Sequence, residues 1–365
     1  FDGGLSGGGP STTLKPYNGV LYGATRSGGT NDNGIFFSYD LATGTYQKLF
    51  DFEFTTSGSY PSSILSLYDG SLYGSTFSGG TNGNGTLFSY DPATGTYQKL
   101  FDFESANSGS NPIGELTLYN DKLYGNTQVG GLNGNGTLFS FEPVSGTFEK
   151  LFDLDLEVSG GYPATDLIVH EGILYGAARS NGTDGTGTLF SFEPNTNSYQ
   201  ELLGFEYSSP SSPYPHISLM ISNGILYGIT LTGGIFDNGT IFSFDIGTDN
   251  FQSLRDFEDN SLGDYPKSSM TLHNGILYGT TIQGGINGDG TLFSYDPATG
   301  THQKLFDFEG NSSGRLPEAA LIIENDILYG TTSYGGTDDF GTLFSYDPGN
   351  GTFLKLFDFG VTTSG

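Results

Sequence analysis

The triplet Leu-Tyr-Gly recurs seven times, with its tyrosine at Tyr22, Tyr73, Tyr124, Tyr175, Tyr227, Tyr278 and Tyr329, in steps of 51, 51, 51, 52, 51 and 51 residues. A proline keeps the same steps at Pro10, Pro61, Pro112, Pro163, Pro215, Pro266 and Pro317. A period of this length means copies of one supersecondary unit, each too small to bury its own apolar groups and each completed by its neighbours. Seven such units take up nearly all of the 365 residues.

The unit from Pro61 to Asn111 shows what is copied. Ile64 to Tyr68 is a short β-rich run, Asp69-Gly70 a hairpin turn and Leu72 to Ser78 a second strand. Gly79-Gly80 and Asn82-Gly83-Asn84-Gly85 then turn the chain into Thr86 to Tyr90. Asp91-Pro92-Ala93-Thr94-Gly95 has proline at the second turn position and glycine where φ must be positive, and it leads into Tyr97 to Phe103. These four strands carry large apolar groups on both faces, so each sheet needs a cover in front and behind. A linear stack leaves two apolar end faces, whereas a ring leaves none. The predicted fold is therefore all-β, a seven-bladed β-propeller of four-stranded antiparallel blades. One domain spans residues 10–365, with blades starting near residues 10, 61, 112, 163, 215, 266 and 317. Residues 1–9 read as a glycine-rich strap across the ring seam or as a remnant of another segment, Phe1-Asp2 echoing the Phe-Asp of the last strands. Helical periodicity is nowhere evident, which excludes a helical solenoid.

The strand order resembles the kelch type of propeller, whose last strand usually begins with Trp; here that site holds Tyr46, Tyr97, Phe148, Tyr199, Phe251, His302 and Phe353. The phrase from Leu-Tyr-Gly through Gly-Thr-Leu-Phe-Ser-Tyr-Asp-Pro to Lys-Leu-Phe-Asp-Phe is similar to the GloVer tandem repeats of bacterial "choice-of-anchor" surface proteins, over about residues 10 to 360. That resemblance implies secretion and a propeller, and no established reaction. A kelch-like order implies that the strand after each proline lines the channel and the last strand forms the rim. Blades one and seven are then each continuous in the chain, and the ring closes by packing.

Composition narrows the function. Glycine plus proline is 74 of 365, about 20%, below the ~25–30% of low-complexity disorder. The 53 aromatic residues, 30 Phe and 23 Tyr, can build a core, and the absence of Cys excludes disulfides, zinc ribbons and thiol nucleophiles. A formal charge of −28 repels phosphate backbones and anionic lipid, so neither nucleic acid nor membrane insertion is expected. An acidic, lysine-poor, Gly/Ser/Thr/Asn-rich chain matches exported bacterial surface proteins, hence a secreted or cell-surface location.

Chemistry is harder to find, because repeats multiply like residues and catalysis needs unlike ones. The rim aspartates Asp51, Asp102, Asp153, Asp256, Asp307 and Asp358 read as a solvated acidic surface. The Asn/Asp-rich loops between strands two and three read as turns; a calcium site is the alternative, with Asp289, Asp338 and Asp339 as its candidates, though the bidentate Glu of a calcium loop is missing. No other cofactor is expected. His302 reads as packing, and His170 and His273 as turn residues. The Gly4-Leu5-Ser6-Gly7-Gly8 match to a nucleophile elbow lacks the flanking strand and helix.

Two sets of positions vary while their neighbours repeat. One follows Leu-Tyr-Gly and includes Arg26, Phe77, Gln128 and Arg179, with Tyr334 one residue further on in its own blade; the other follows the proline and includes Glu115, Asp166, His216, Lys267 and Glu318. The ends of antiparallel neighbours put both sets at one mouth of the channel, a recognition surface by composition. Neutral drift at positions without packing duties accounts for the same pattern. The leading expectation is an exported, non-enzymatic binding or adhesion module for a glycan or a surface protein. The alternatives are a carbohydrate-active hydrolase or lyase with acids at the mouth, and a self-associating unit of a surface filament.

Overall fold

The computed structural model describes residues 6–10, 12–62, 65–180, 185–206, 219–258 and 261–360. Seven antiparallel sheets follow one another, and within each the strands lie side by side in chain order. Blade two illustrates the pattern: Ser59–Pro61 and Ser66–Tyr68 pair with Ser71–Ser78, which pairs with Thr86–Asp91 and then Thr96–Asp102. The all-β seven-bladed propeller is the observed fold. Its inner strand differs from the prediction, because in blades one, two, four and six it is split into two short pieces. In these four blades the residue before the proline is left-handed, with φ of 58° at Gly9, 52° at Tyr60, 58° at Tyr162 and 53° at Tyr265. The proline that follows has no N–H to give to the ladder. Two single helical turns, Ser105–Ser108 and Gly310–Ser313, sit in linkers between blades.

Burial explains the ring. The described core falls into seven apolar clusters, one at each junction between successive blades. At the first junction Phe36 and Phe52 of blade one pack on Leu72, Phe88 and Tyr90 of blade two. Aromatic rings also stack between neighbouring rim strands: Phe50 on Tyr97 at 3.9 Å and Phe101 on Phe148 at 3.9 Å, each nearly parallel. The glycine of Leu-Tyr-Gly exists for this packing. A Cβ on Gly125 would lie 2.6 Å from Phe139 Cζ and 2.9 Å from Leu116 Cδ2, and the same ring covers Gly23, Gly74, Gly176, Gly228, Gly279 and Gly330. The buried polar atoms repeat too, as threonine pairs such as Thr76 Oγ1 with Thr86 Oγ1 at 2.9 Å and Thr127 Oγ1 with Thr137 Oγ1 at 2.9 Å.

The seam between blades seven and one has the same parts. Leu14, Leu21 and Phe37 pack on Leu343 and Phe359, and Tyr46 stacks on Phe357 at 4.3 Å. The Gly9 N–H donates to Phe340 O at 2.9 Å, as the Tyr60 N–H does to Asn33 O at 2.9 Å one junction on. Ser6 Oγ accepts the Gly360 N–H at 2.8 Å, repeating across the chain ends the Glu53 N–H to Ser57 Oγ bond of 2.7 Å inside the first linker. Residues 6–9 therefore lie on the seam, and residues 1–5 fall outside those described.

Two stability predictions follow from the packing. Gly125→Ala should force the Phe139 ring aside and cost roughly 1–3 kcal/mol, the usual range for overpacking, read as a lower melting temperature. His302 sits against Phe257 and Phe293, and burial with Arg255 nearby lowers its pKa from 6.5 to about 4. Between those values the unfolded chain holds a proton that the native ring refuses, so the native state loses stability as pH falls from about 6.5 toward 4. His302→Phe removes that loss, and melting curves should show its advantage over wild type growing across this window; a constant difference from pH 8 to pH 4 would contradict the assignment.

Candidate functional site

The register places the two variable sets together. Pro10 pairs with Thr25 and Gly8 with Ser27, so Arg26 stands opposite Gly9; by the same register Phe77 faces Tyr60 and Arg179 faces Tyr162. Residues of six blades then converge on a cavity of about 510 Å³, which places it on the ring axis. Seven of the ten sequence-derived candidates line it: Arg26, Phe77, Gln128, Asp166, Arg179, Lys267 and Glu318. Thr12, Thr13, Ser62, Ser268 and Ser269 add hydroxyls.

Three candidates stand apart. His216 lies outside the described residues. Glu115 sits lower in the bore, in a second cavity of about 290 Å³ with Lys15, Ser66 and Thr117. Its carboxylate accepts from Lys15 Nζ at 3.3 Å, a contact between blades one and three across the bore. Burial raises the Glu115 carboxyl above its ordinary value against the opposing pull of Lys15, and the Asp166 charge pushes the same way as burial. Tyr334, 47% exposed, does not line the cavity; the Arg315 guanidinium covers its ring at 5.5 Å while binding both oxygens of Asp339.

Inside the cavity the charges are arranged in pairs and stacks. Lys267 Nζ donates to Glu318 Oε1 at 2.8 Å, and Ser333 Oγ donates to Glu318 Oε2 at 3.3 Å. Asp166 Oδ1 accepts the Glu115 N–H at 2.5 Å. The Arg26 guanidinium lies over the Tyr60 ring at 5.8 Å. Burial lowers the Arg179 pKa from its ordinary value. Sequence reasoning missed Tyr60 and Lys15. Tyr60 precedes the proline, in a slot that holds Gly9, Asn111, Tyr162, Tyr214, Tyr265 and Leu316 in the sequence of the other blades, a partial variation that was a usable signal.

The acidic positions elsewhere serve as structural anchors. The rim aspartates are not simply solvated: Asp102 accepts the Thr81 N–H at 2.8 Å and Lys99 Nζ at 2.7 Å, and Asp51, Asp153 and Asp307 likewise hold a loop N–H and the lysine three residues before. Among the calcium candidates, Asp289 Oδ2 accepts the Gly310 N–H at 2.9 Å, and Asp339 accepts the Gly335 N–H at 2.8 Å besides Arg315. Asp338 shares that loop. Among the described residues no group of three His, Asp or Glu side chains is placed to hold a metal ion, and no helix is long and apolar enough to cross a membrane.

Known proteins extend this picture. The fold is shared, at a TM-score of 0.65 and 16% identity, with the extracellular domain of a putative hybrid two-component system from B. thetaiotaomicron, over 92% of this chain and 38% of that one. It is shared with a puromycin-hydrolyzing peptidase of Mycobacterium tuberculosis at a TM-score of 0.65 and 14% identity, over 95% of this chain and 52% of that one. A putative 6-phosphogluconolactonase from Bacteroides uniformis matches at a TM-score of 0.62 and 14% identity, over 94% and 97%. The chain thus spans well under two thirds of the length of the first two, and at these identities the likeness is one of fold. No curated protein sequence matches the chain. The model of the Gloeobacter/Verrucomicrobia repeat matches residues 9–220 and 170–365. Since that match covers every blade from the first inner strand to the last rim strand, the chain belongs to the Gloeobacter/Verrucomicrobia repeat family.

Proposed function

We propose that this propeller is an exported, non-enzymatic binding module whose axial cavity receives a glycan or a protein partner. One observation carries the reading: seven of the ten candidate residues that break the repeat line one 510 Å³ cavity, while the repeated ones hold the blades together. Export is supported by the acidic, cysteine-free composition and by membership of the repeat family, and the first fold neighbour described above is itself an extracellular domain. The loop tips at the same end add apolar surface. Leu132, Ile235 and Ile286, in equivalent positions of blades three, five and six, are 79%, 72% and 82% exposed.

The raised carboxyl of Glu115 favours a second reading, a carbohydrate-active enzyme. That carboxylate is held by Lys15 below the cavity, however, and both cavity carboxylates accept hydrogen bonds from protein donors. A fixed, hydrogen-bonded acid suits orientation of a ligand better than proton transfer.

The combined variant Arg26→Ala, Phe77→Ala, Gln128→Ala should lose capture of the partner in glycan-array and pull-down assays. Thr43→Ala with Thr299→Ala, at the opposite end of the ring, should retain it. Binding that survives the first set and fails with the second would overturn this choice of face, and turnover of a glycan panel abolished by Glu115→Gln would favour the enzyme.

A further inference from the structure

Charge is distributed on this protein by a rule that the cavity breaks. Of the twelve Lys and Arg, at least ten lie within 4.0 Å of a carboxylate, six of them on the rim with the acid three residues on. Arg26 is not among them, and among the described residues its guanidinium has no carboxylate within that distance. It is exposed to the cavity mouth and steadied over Tyr60 at 5.8 Å. Lys267 in the same lining is already held by Glu318, so Arg26 is a cation exposed at the cavity of a chain whose formal charge is −28.

Neither described carboxylate of the lining lies within 4.0 Å of Arg26: Glu318 accepts from Lys267 and Ser333, and Asp166 accepts the Glu115 N–H. A planar guanidinium fork selects a two-oxygen anion such as carboxylate. Beside it, Tyr60 and Phe77 offer aromatic surface and Thr12 and Ser62 offer hydroxyls, the mixture that a pyranose ring with an apolar face and a polar edge requires. The surrounding negative field disfavours ligands with several charges per ring. We infer that the cavity recognises a sugar unit carrying a single carboxylate, with Arg26 as the carboxylate receptor. This rests on the reading of the cavity as a binding site and names its ligand class.

Titration calorimetry with galacturonic and glucuronic acid, their neutral counterparts galactose and glucose, and a galacturonate trisaccharide tests it. The two monosaccharide acids separate a free sugar acid from a unit read only within an oligomer. At least one acidic probe should bind ten-fold or more tightly than its neutral counterpart. Arg26→Gln should weaken that binding at least ten-fold with an unchanged melting temperature, and Arg26→Lys should restore part of it. Equal affinity for acidic and neutral sugars, or full affinity in Arg26→Gln, overturns the carboxylate assignment and leaves the binding-module reading standing. So does capture of a protein partner through this face with no sugar bound. A wild-type cavity that binds no sugar and no partner overturns both.

Discussion

Every blade of this protein is apolar on both faces, and that single fact dictates the rest. A sheet with Phe36 and Phe37 pointing to opposite sides cannot end a stack in water, because both rings are fully buried only when a neighbour lies on each side. Seven blades supply the covers for one another by closing a circle. The glycine of the Leu-Tyr-Gly triplet is the clearest mark of that pressure. Its φ is not left-handed; it is glycine because a phenylalanine ring rests where a Cβ would be. The rim stacking of Phe50 on Tyr97, repeated around much of the ring, continues the same contact outward.

The repeated and the variable residues are separated in space. Threonine pairs, loop-anchoring aspartates and interblade rings are spent on holding strands in place, and they recur because each junction poses the same problem. Positions at the start of the inner strand and the end of the second carry no such duty, so they are free to differ from blade to blade. They meet at one end of the bore only because those two strand ends are register neighbours, as Pro10 with Thr25 and Pro61 with Thr76 show. A repeat protein of this kind acquires an asymmetric site without giving up a symmetric frame.

The frame was legible in the sequence because seven copies of each turn signal reinforce one another, and the second, third and fourth strands fall within a residue or two of their predicted spans. The first piece of the split inner strand, Ser59–Pro61 in blade two, was not legible, since it centres on a tyrosine at positive φ, which is rare and is held there by contacts from the preceding blade such as Asn33 O on the Tyr60 N–H. The cavity was found through variation between blades, but two of its assigned members lie elsewhere. In blade three the register shifts between Ile113 and Thr117, which accompanies the seating of Glu115 deeper in the bore. In blade seven Tyr334 stands one residue beyond the position of Arg26, in the pairing that Ser27 makes with Gly8 in blade one, and it lies beside Arg315 and Asp339.

The seam between the last blade and the first is the one junction with no peptide running through it, and hydrogen bonds from Ser6 and Gly9 stand in for the missing link. The axial cavity straddles that joint, for Thr12 and Thr13 belong to one bank and Glu318, Ala319 and Ala320 to the other. A molecule that touches both banks binds only the closed ring, and so stabilises it by linkage. Opening the disc would then cost the packing of the seam plus the free energy of releasing that molecule.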